Sequence, residues 1–369
     1  MASSSFPGSS AATATPAAQA VAQRSAGQRL WRRAKGLLQW LVMLSITLLG
    51  LLAITFYIGR MVPIDPVLAV VGDRATPDIY NAAKEAMGLD KPLWQQFAMY
   101  VRDVLHGNLG TSILTSNPVW EDIKRVFPAT LELATLATIL GVLVGVPLGV
   151  AAAVRHNKLT DHVARFVSLI GSSMPVFWLG MMGLMLFYAK LGWLPGPGRI
   201  DPVYDGMVTE VTGSLLIDSA LAGEWDVLGD ALWHIALPTL ILSYFSVAYL
   251  SRMTRAFMLE QLSQEYIITA RAKGVPEWRV VWGHAFRNIA VPLLTVIALT
   301  YGNLLEGSVL TEIVFSWPGI GSYLTGALMN ADMSAILGST LVIGTVFVVI
   351  NLLTDVLYAV FDPRARRKT

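Results

Sequence analysis

The chain has 369 residues, 54% of them hydrophobic and 14% charged, with a net charge of +2 and a mean hydropathy of +0.56. Soluble domains carry roughly 25% charged residues, so this balance excludes a large soluble core and describes a polytopic membrane protein. The small net charge gives no footing for a nucleic-acid partner, and the lack of cysteine excludes disulfides and thiolate metal sites.

Residues 1–28 are rich in Ala, Ser and Thr and contain no acid. That composition fits an organellar transit peptide as well as a disordered tail, and the lack of an amphipathic arginine-bearing helix before Arg24 favours the tail. Residues 29–128 then hold the first membrane helix and a polar segment, and residues 129–369 hold five further helices. Crossing a hydrocarbon core takes about 20 mostly apolar residues. Runs that meet this length lie near 37–59, 129–154, 163–191, 231–251, 289–311 and 335–361, so the fold class is all-α with six spans. Pro175 and Pro238 lie inside the third and fourth runs, which membrane helices tolerate when neighbours satisfy the freed carbonyls.

Basic residues are sorted along this pattern. Arg24, Arg29, Arg32, Arg33 and Lys35 precede span 1; Arg155, Lys158 and Arg165 follow span 2; Arg252, Arg255, Arg271, Lys273, Arg279 and Arg287 follow span 4; Arg364, Arg366, Arg367 and Lys368 follow span 6. The positive-inside rule places all four groups in the cytoplasm and both termini inside. The link between spans 3 and 4 has one arginine, Arg199, among Asp201, Asp205, Glu210, Asp218, Glu224, Asp226 and Asp230, and faces out. The segment between spans 1 and 2 is also external. It predicts a helix from Pro77 to Met87, opened by Thr76 and stopped by Gly88. A second helix runs from Pro92 to Leu105, with Leu93, Phe97, Tyr100, Val101 and Val104 on one stripe.

Motifs for chemistry are missing: the sequence has no G-x-x-x-x-G-K-[ST], no HExxH and no GxSxG, which leaves no nucleotide cradle, zinc-protease helix or nucleophile elbow. His156 and His162 are badly spaced for one metal, and the glycines of LPGPGR form a turn. An acid at the bilayer midplane costs roughly 2.5–3.5 kcal/mol on insertion scales, so intramembrane acids are informative. Glu132, Glu306 and Asp355 all lie toward span ends. Glu132 and Asp355 read as structural, while Glu306 is open between a structural hydrogen bond and a place on a solute pathway. An ion-coupled porter would want acids at the midplane and inverted repeats, and neither is found.

The loop 252–288 interrupts two hydrophobic spans with a basic, amphipathic passage. Residues 265–273 suit a short helix that Gly274 ends. A second helix starts with Pro276 in its first turn and places Trp278, Val281, Trp282, Ala285, Phe286 and Ile289 on one stripe. An interfacial helix on membrane lipid is one reading. Small residues at Thr269, Ala270 and Ala272 favour instead a helix that sits in a groove of a partner protein.

At this point a resemblance becomes specific. EYIITARAKGVPEWRVVWGHAFRNIAVPLL resembles the cytoplasmic coupling loop of ABC importer permeases, in the form carried by the dipeptide, oligopeptide and nickel permeases, first-subunit type. MGLDKPLWQQF, GNLGTS, PATLELA, SSMPVFWLG, LEGSVLTEIVFSWPGIG and NLLTDVLYAVFDPR match the same family in order, over about residues 36–366. The resemblance implies a type I importer core in the bacterial cytoplasmic membrane, half of a translocation pathway for di- or oligopeptides or a peptide-like solute. Its implied partners are a second, homologous permease, two cytosolic ATPase subunits and an external binding protein. ATP and Mg would be bound by those ATPases, leaving this chain a non-enzyme without a cofactor. ATPase coupling would fall on Glu265, Ala270, Arg271, Ala272, Lys273 and Gly274, with Ala270 and Gly274 as the small residues in the ATPase groove. Ile268 stands where the general motif has an acid. VPIDP at 62–66 and NADMSAILG at 330–338 also depart from family wording, at positions expected to face outward.

Overall fold

The computed structural model describes residues 16–61, 65–72 and 74–361. Among them there is no strand, only an isolated bridge between Thr111 and Pro118. The chain divides into a unit up to Leu51 and a unit from Leu52 onward. Helix α1 (Pro16–Met61) contributes to both. It begins inside the stretch expected as a tail, so residues 16–28 are helical: Pro16 opens the helix, and the alanines that follow are the strongest helix formers. Residues 1–15 lie outside the described residues.

Beyond Leu51, three short helices follow: α2 (Pro66–Val71), α3 (Pro77–Ala86) and α4 (Leu93–Leu105). Asp65 starts α2 by accepting from the Val67 N–H at 2.9 Å and from the Tyr80 hydroxyl at 2.6 Å, which ties α2 to α3. Residues 62–64 of the VPIDP stretch are outside the described residues. Thr76 is at the N-cap of α3 as expected, but its hydroxyl makes no capping bond; Pro77 at the first position sets the entry instead. Gly88 then turns the chain at φ +66°. The stripe on α4 packs: the Phe97 and Tyr100 ring centroids lie 5.5 and 6.3 Å from that of Phe56 near the end of α1.

Among the described residues, five helices are long and apolar enough to cross a membrane, at Leu38–Gly59, Val119–Val154, Trp225–Leu262, Arg279–Val314 and Met333–Thr354. Leu159–Gly171 and Val176–Lys190 supply a sixth span if the bent pair is one crossing. Span 2 is built from α5 (Val119–Leu140), a π-helical turn at Gly141–Gly145 and α6 (Val146–Val154). Helix α7 (Leu159–Ser173) and α8 (Val176–Gly183) meet at a 96° bend. Pro175 causes it, since proline pushes the residue before it out of the helical region, and Met174 is extended at φ −96°, ψ 133°. Pro238, by contrast, is absorbed within α10 (Trp225–Leu262), which follows α9 (Leu215–Ala222).

Helix α11 (Glu265–Ala272) follows α10. A π-helical segment at Arg279–Ala285 then runs directly into α12 (Phe286–Val314). Helices α13 (Ile320–Met329) and α14 (Met333–Phe361) complete the bundle. The seam between span 2 and α10 is made by Gly141, Gly145 and Gly149, four apart on one face. A Cβ at Gly145 would stand 2.9 Å from the Val247 carbonyl oxygen. In lipid, where tails are as apolar as leucine, such close backbone approach is what holds helices together.

Candidate functional site

The loop between α10 and α12 is built around one buried anchor and one left-handed glycine. Ile267 has no exposed surface and packs with Met258, Val280, Val281, Ala285 and Ile289. Gly274 has φ +74° with nothing within 4 Å of a would-be Cβ, so glycine is needed there for backbone conformation and not for space. Arg271 closes the turn by donating to Glu277 at 2.6 and 3.2 Å. That guanidinium holds the Glu277 carboxyl below the usual carboxylate range, and Glu277 raises Arg271 in return.

Anchoring of Ile267 decides what α11 displays. Glu265, Ile268, Thr269, Arg271, Ala272, Lys273 and Gly274 are exposed, and Ile268 keeps 60% of its surface. Ala270 is placed differently from the sequence expectation: it is half-buried against the chain's own Ile267 cluster. The small residues on the open face are Thr269 and Ala272. The second stripe also differs. Val280, Val281, Ala285 and Ile289 are buried, whereas Trp278 and Trp282 remain 63% and 45% exposed. A π-helical turn advances fewer degrees per residue than an α-helix, so the face that begins at Trp278 in a 3.6-residue pattern is rotated off the core.

Four carboxylates that no motif singles out as a site tie the spans together. Glu312, with no exposed surface, accepts from the Thr130 hydroxyl at 2.7 Å, the Ser308 hydroxyl at 3.0 Å and the Ser322 N–H at 2.9 Å. It thereby joins α5, α12 and the start of α13. Gly319 and Gly321 clear the space, since a Cβ at either would overlap this carboxylate. Asp332 accepts from the Ser112 hydroxyl at 2.6 Å and the Ile113 N–H at 2.8 Å. It is fully buried, so within NADMSAILG this acid serves the chain's own packing. At the opposite end, buried Asp161 takes two bonds from Arg255, at 2.6 and 3.0 Å, and one from Arg165 at 2.8 Å. Glu132 is structural: it pairs with Arg199 at 2.7 Å and accepts from the Ser214 hydroxyl and the Leu216 N–H at 2.7 and 3.0 Å.

Glu306 behaves differently. It is exposed on α12, and its carboxylate has no hydrogen bond or ion pair among the described residues. It borders a cleft with Phe127, Gly302, Leu305, Ile343 and Phe347. Along the helix it stands roughly 40 Å from Arg279, at 1.5 Å per residue, so it belongs to the end away from α11. The side chain of Asp355 lies outside the described residues.

Apolar spans packed on a glycine seam, buried carboxylates knotting their ends, and one short helix displayed between spans define a multi-pass helical membrane protein. Residues 145–367 match the binding-protein-dependent transport system inner membrane component, and residues 33–134 match its N-terminal membrane component. The chain belongs to this family of bacterial inner-membrane proteins. It is 44% identical over 324 residues to the Probable D,D-dipeptide transport system permease protein DdpB of Escherichia coli K12, covering 88% of this chain and 95% of that one. To the Dipeptide transport system permease protein DppB of the same organism it is 43% identical over 87% of this chain and 96% of the relative. To the Di/tripeptide transport system permease protein DppB of Pseudomonas aeruginosa UCBPP-PA14 it is 42% identical over the same shares. The ion-coupled porter alternative finds no support in these relatives.

Proposed function

We propose that this chain is one permease half of an ATP-driven importer of di- or oligopeptides, with both termini in the cytoplasm. A second, homologous permease would complete the pathway, two cytosolic ATPase subunits would drive it, and an external binding protein would deliver the peptide. Support comes from relatives named for dipeptide transport and from the sorting of basic residues to the ends that carry Asp161–Arg255 and α11.

One observation carries the coupling role: α11 is anchored from below by buried Ile267 and presents Glu265, Ile268, Thr269 and Ala272 to solvent. A helix held this way, with an apolar and small-residue top, fits a protein groove. Ile268 puts an apolar contact where the general motif has an acid. Lys273 and Gly274 form the following turn, which Arg271 ties down through Glu277, and Ala270 supports it from the core side. ATP-driven closure of the ATPases would press on α11 and turn α10 and α12, switching the pathway between inward and outward access. Glu306 would face that pathway at its outer part.

The test is reconstitution with the partner subunits and peptide-loaded binding protein. Ala272→Trp is expected to abolish peptide-stimulated ATP hydrolysis while the chain inserts and assembles normally. Wild-type stimulation in that variant, or peptide uptake by this chain with no ATPase present, would refute the reading.

A further inference from the structure

The exposed stripe of α12 runs Leu299, Asn303, Glu306, Leu310 and Ile313, at alternating spacings of four and three residues. A face meant for lipid would be apolar throughout, because ionisable groups in a membrane span are retained where they meet a partner or a water-filled path. Here the stripe is interrupted for one turn by a carboxamide and a carboxylate three residues apart, which share a helix face. Gly307 follows with nothing within 4 Å of a would-be Cβ, so the floor beside the carboxylate is open. No basic side chain pairs with Glu306 among the described residues, and the nearest basic residue earlier on α12 is Arg287, five turns away. Among the described residues, then, no cation balances Glu306.

We propose that Asn303, Glu306 and Gly307 form a station that holds the α-ammonium end of the peptide during transit. The inference rests on the permease reading above. An ammonium group has three donors and no acceptor, and the stripe offers the complementary set: two carboxylate oxygens bearing the charge and the Asn303 carbonyl beside them. Gly307 lets the peptide's first residue lie against the helix whatever its side chain, which suits a carrier that must accept many sequences but always one free amino terminus. A charge-assisted hydrogen bond at such a point is stronger than a neutral one, so a single turn of helix suffices to orient the cargo.

The assay is ATP-driven uptake by the full complex in proteoliposomes, at saturating loaded binding protein. Glu306→Gln is expected to lower the maximal rate by about tenfold, the loss of one charge-assisted contact, with no change in the half-saturating concentration of loaded binding protein or in complex assembly. Glu306→Asp should recover part of the rate. With the same peptide acetylated at its amino terminus and loaded to saturation, wild type and Glu306→Gln should import equally. Three results would overturn the proposal: a wild-type maximal rate in Glu306→Gln, an equal defect for free and acetylated cargo, or a complex that dissociates in the variant, which would mark Glu306 as an ion-pair partner of the second permease. Failure of the permease reading is separate and visible in the wild type, as absence of ATP-driven uptake.

Discussion

Replacing Glu312 by alanine should loosen the junction of two spans and the short helix α13 at once. Helix α13 begins at Gly319, whose lack of a side chain leaves its first N–H groups to be satisfied from elsewhere. Thr130 accepts from Ile320 N at 2.9 Å and Glu312 accepts from Ser322 N at 2.9 Å, so span 2 and span 5 together provide the cap. Without the carboxylate, the part-buried Ser322 N–H and the buried Thr130 hydroxyl lose their acceptor. At roughly 1–3 kcal/mol for each orphaned donor, the loss is about 2–6 kcal/mol. Ser308 escapes the penalty, because its hydroxyl already reaches the Leu305 carbonyl at 3.0 Å. Glu312→Gln should lose less than alanine: its carbonyl oxygen replaces the acceptor for Ser322, and its amide donates to hydroxyls that also accept. Thermal unfolding of purified wild type and both variants in the same detergent gives the order wild type, Gln, Ala, with alanine several degrees below wild type. An alanine variant that melts with wild type would show that the α13 start finds its partners elsewhere and would refute the argument.

Two further predictions concern the ends of the bundle. Asp161→Ala leaves Arg255, a mostly buried guanidinium, facing an empty acceptor site. Breaking one partner of a buried pair costs about 3–5 kcal/mol, so the variant should unfold at lower temperature and expose the α7–α10 junction to proteolysis; unchanged resistance would count against the pair as a tie. The Asp65–Tyr80 bond should confer a pH window on α2. Tyr80 holds the Asp65 carboxyl below its ordinary value, so that contribution is present above pH about 4 and lost as pH falls through the lowered value. The same bond raises the Tyr80 phenol, so its contribution is present below pH about 10 and lost as pH rises through the raised value. Hydrogen exchange at the Val67 amide, corrected for intrinsic rate, should fall in protection at both extremes, and Tyr80→Phe should remove the plateau between them.

The spans were legible because hydropathy over some twenty residues leaves few alternatives; the Gly141, Gly145, Gly149 series went unread, although its spacing of four is what a close helix seam uses. Gly274 was legible for a different reason: a glycine between two helical patterns announces a left-handed turn, and φ +74° is what the turn uses. Trp278 and Trp282 were misplaced because the expected stripe assumed 3.6 residues per turn through a segment that is π-helical. Ala270 was misplaced because a short helix shows its small residues in sequence but not which side is down; that is decided by Ile267, whose burial depends on Met258 and Val280. The carboxylate ties were the least legible. Thr130 and Glu312 are 182 positions apart, and Ser112 and Asp332 are 220 apart, so nothing local distinguishes these acids from solvated ones. Glu312 also stands just past the end of the apolar run, where an acid looks ordinary, and only the two glycines at 319 and 321 hint that something needs room.

These contacts bear on how a push at α11 would be felt near Glu306. The helical path from Arg279 to Val314 is unbroken over 36 residues, and α11 is joined to its start through Ile267 against Val280 and Val281. Such a helix can carry rotation about its axis, with one internal backbone bond missing at Pro292. Rotation about the axis is also what would move Glu306 toward or away from a path between two permeases. At the far end, however, Glu312 is fixed to Thr130 of α5 and to Ser322 of α13, so α12 is not free to spin alone. Either α5 and α13 turn with it as one body, or the twist is taken up along α12 between the two anchors. The π-helical turns at Arg279–Ala285 and Gly141–Gly145 favour the first alternative. Both lie on the α11 side of the Glu312 knot, one in each of the two spans it joins, and a π turn is where a helix yields at least cost. The outer halves of α5 and α12, with α13, would then move together, and the Asn303–Glu306 stripe would be carried by a rigid block.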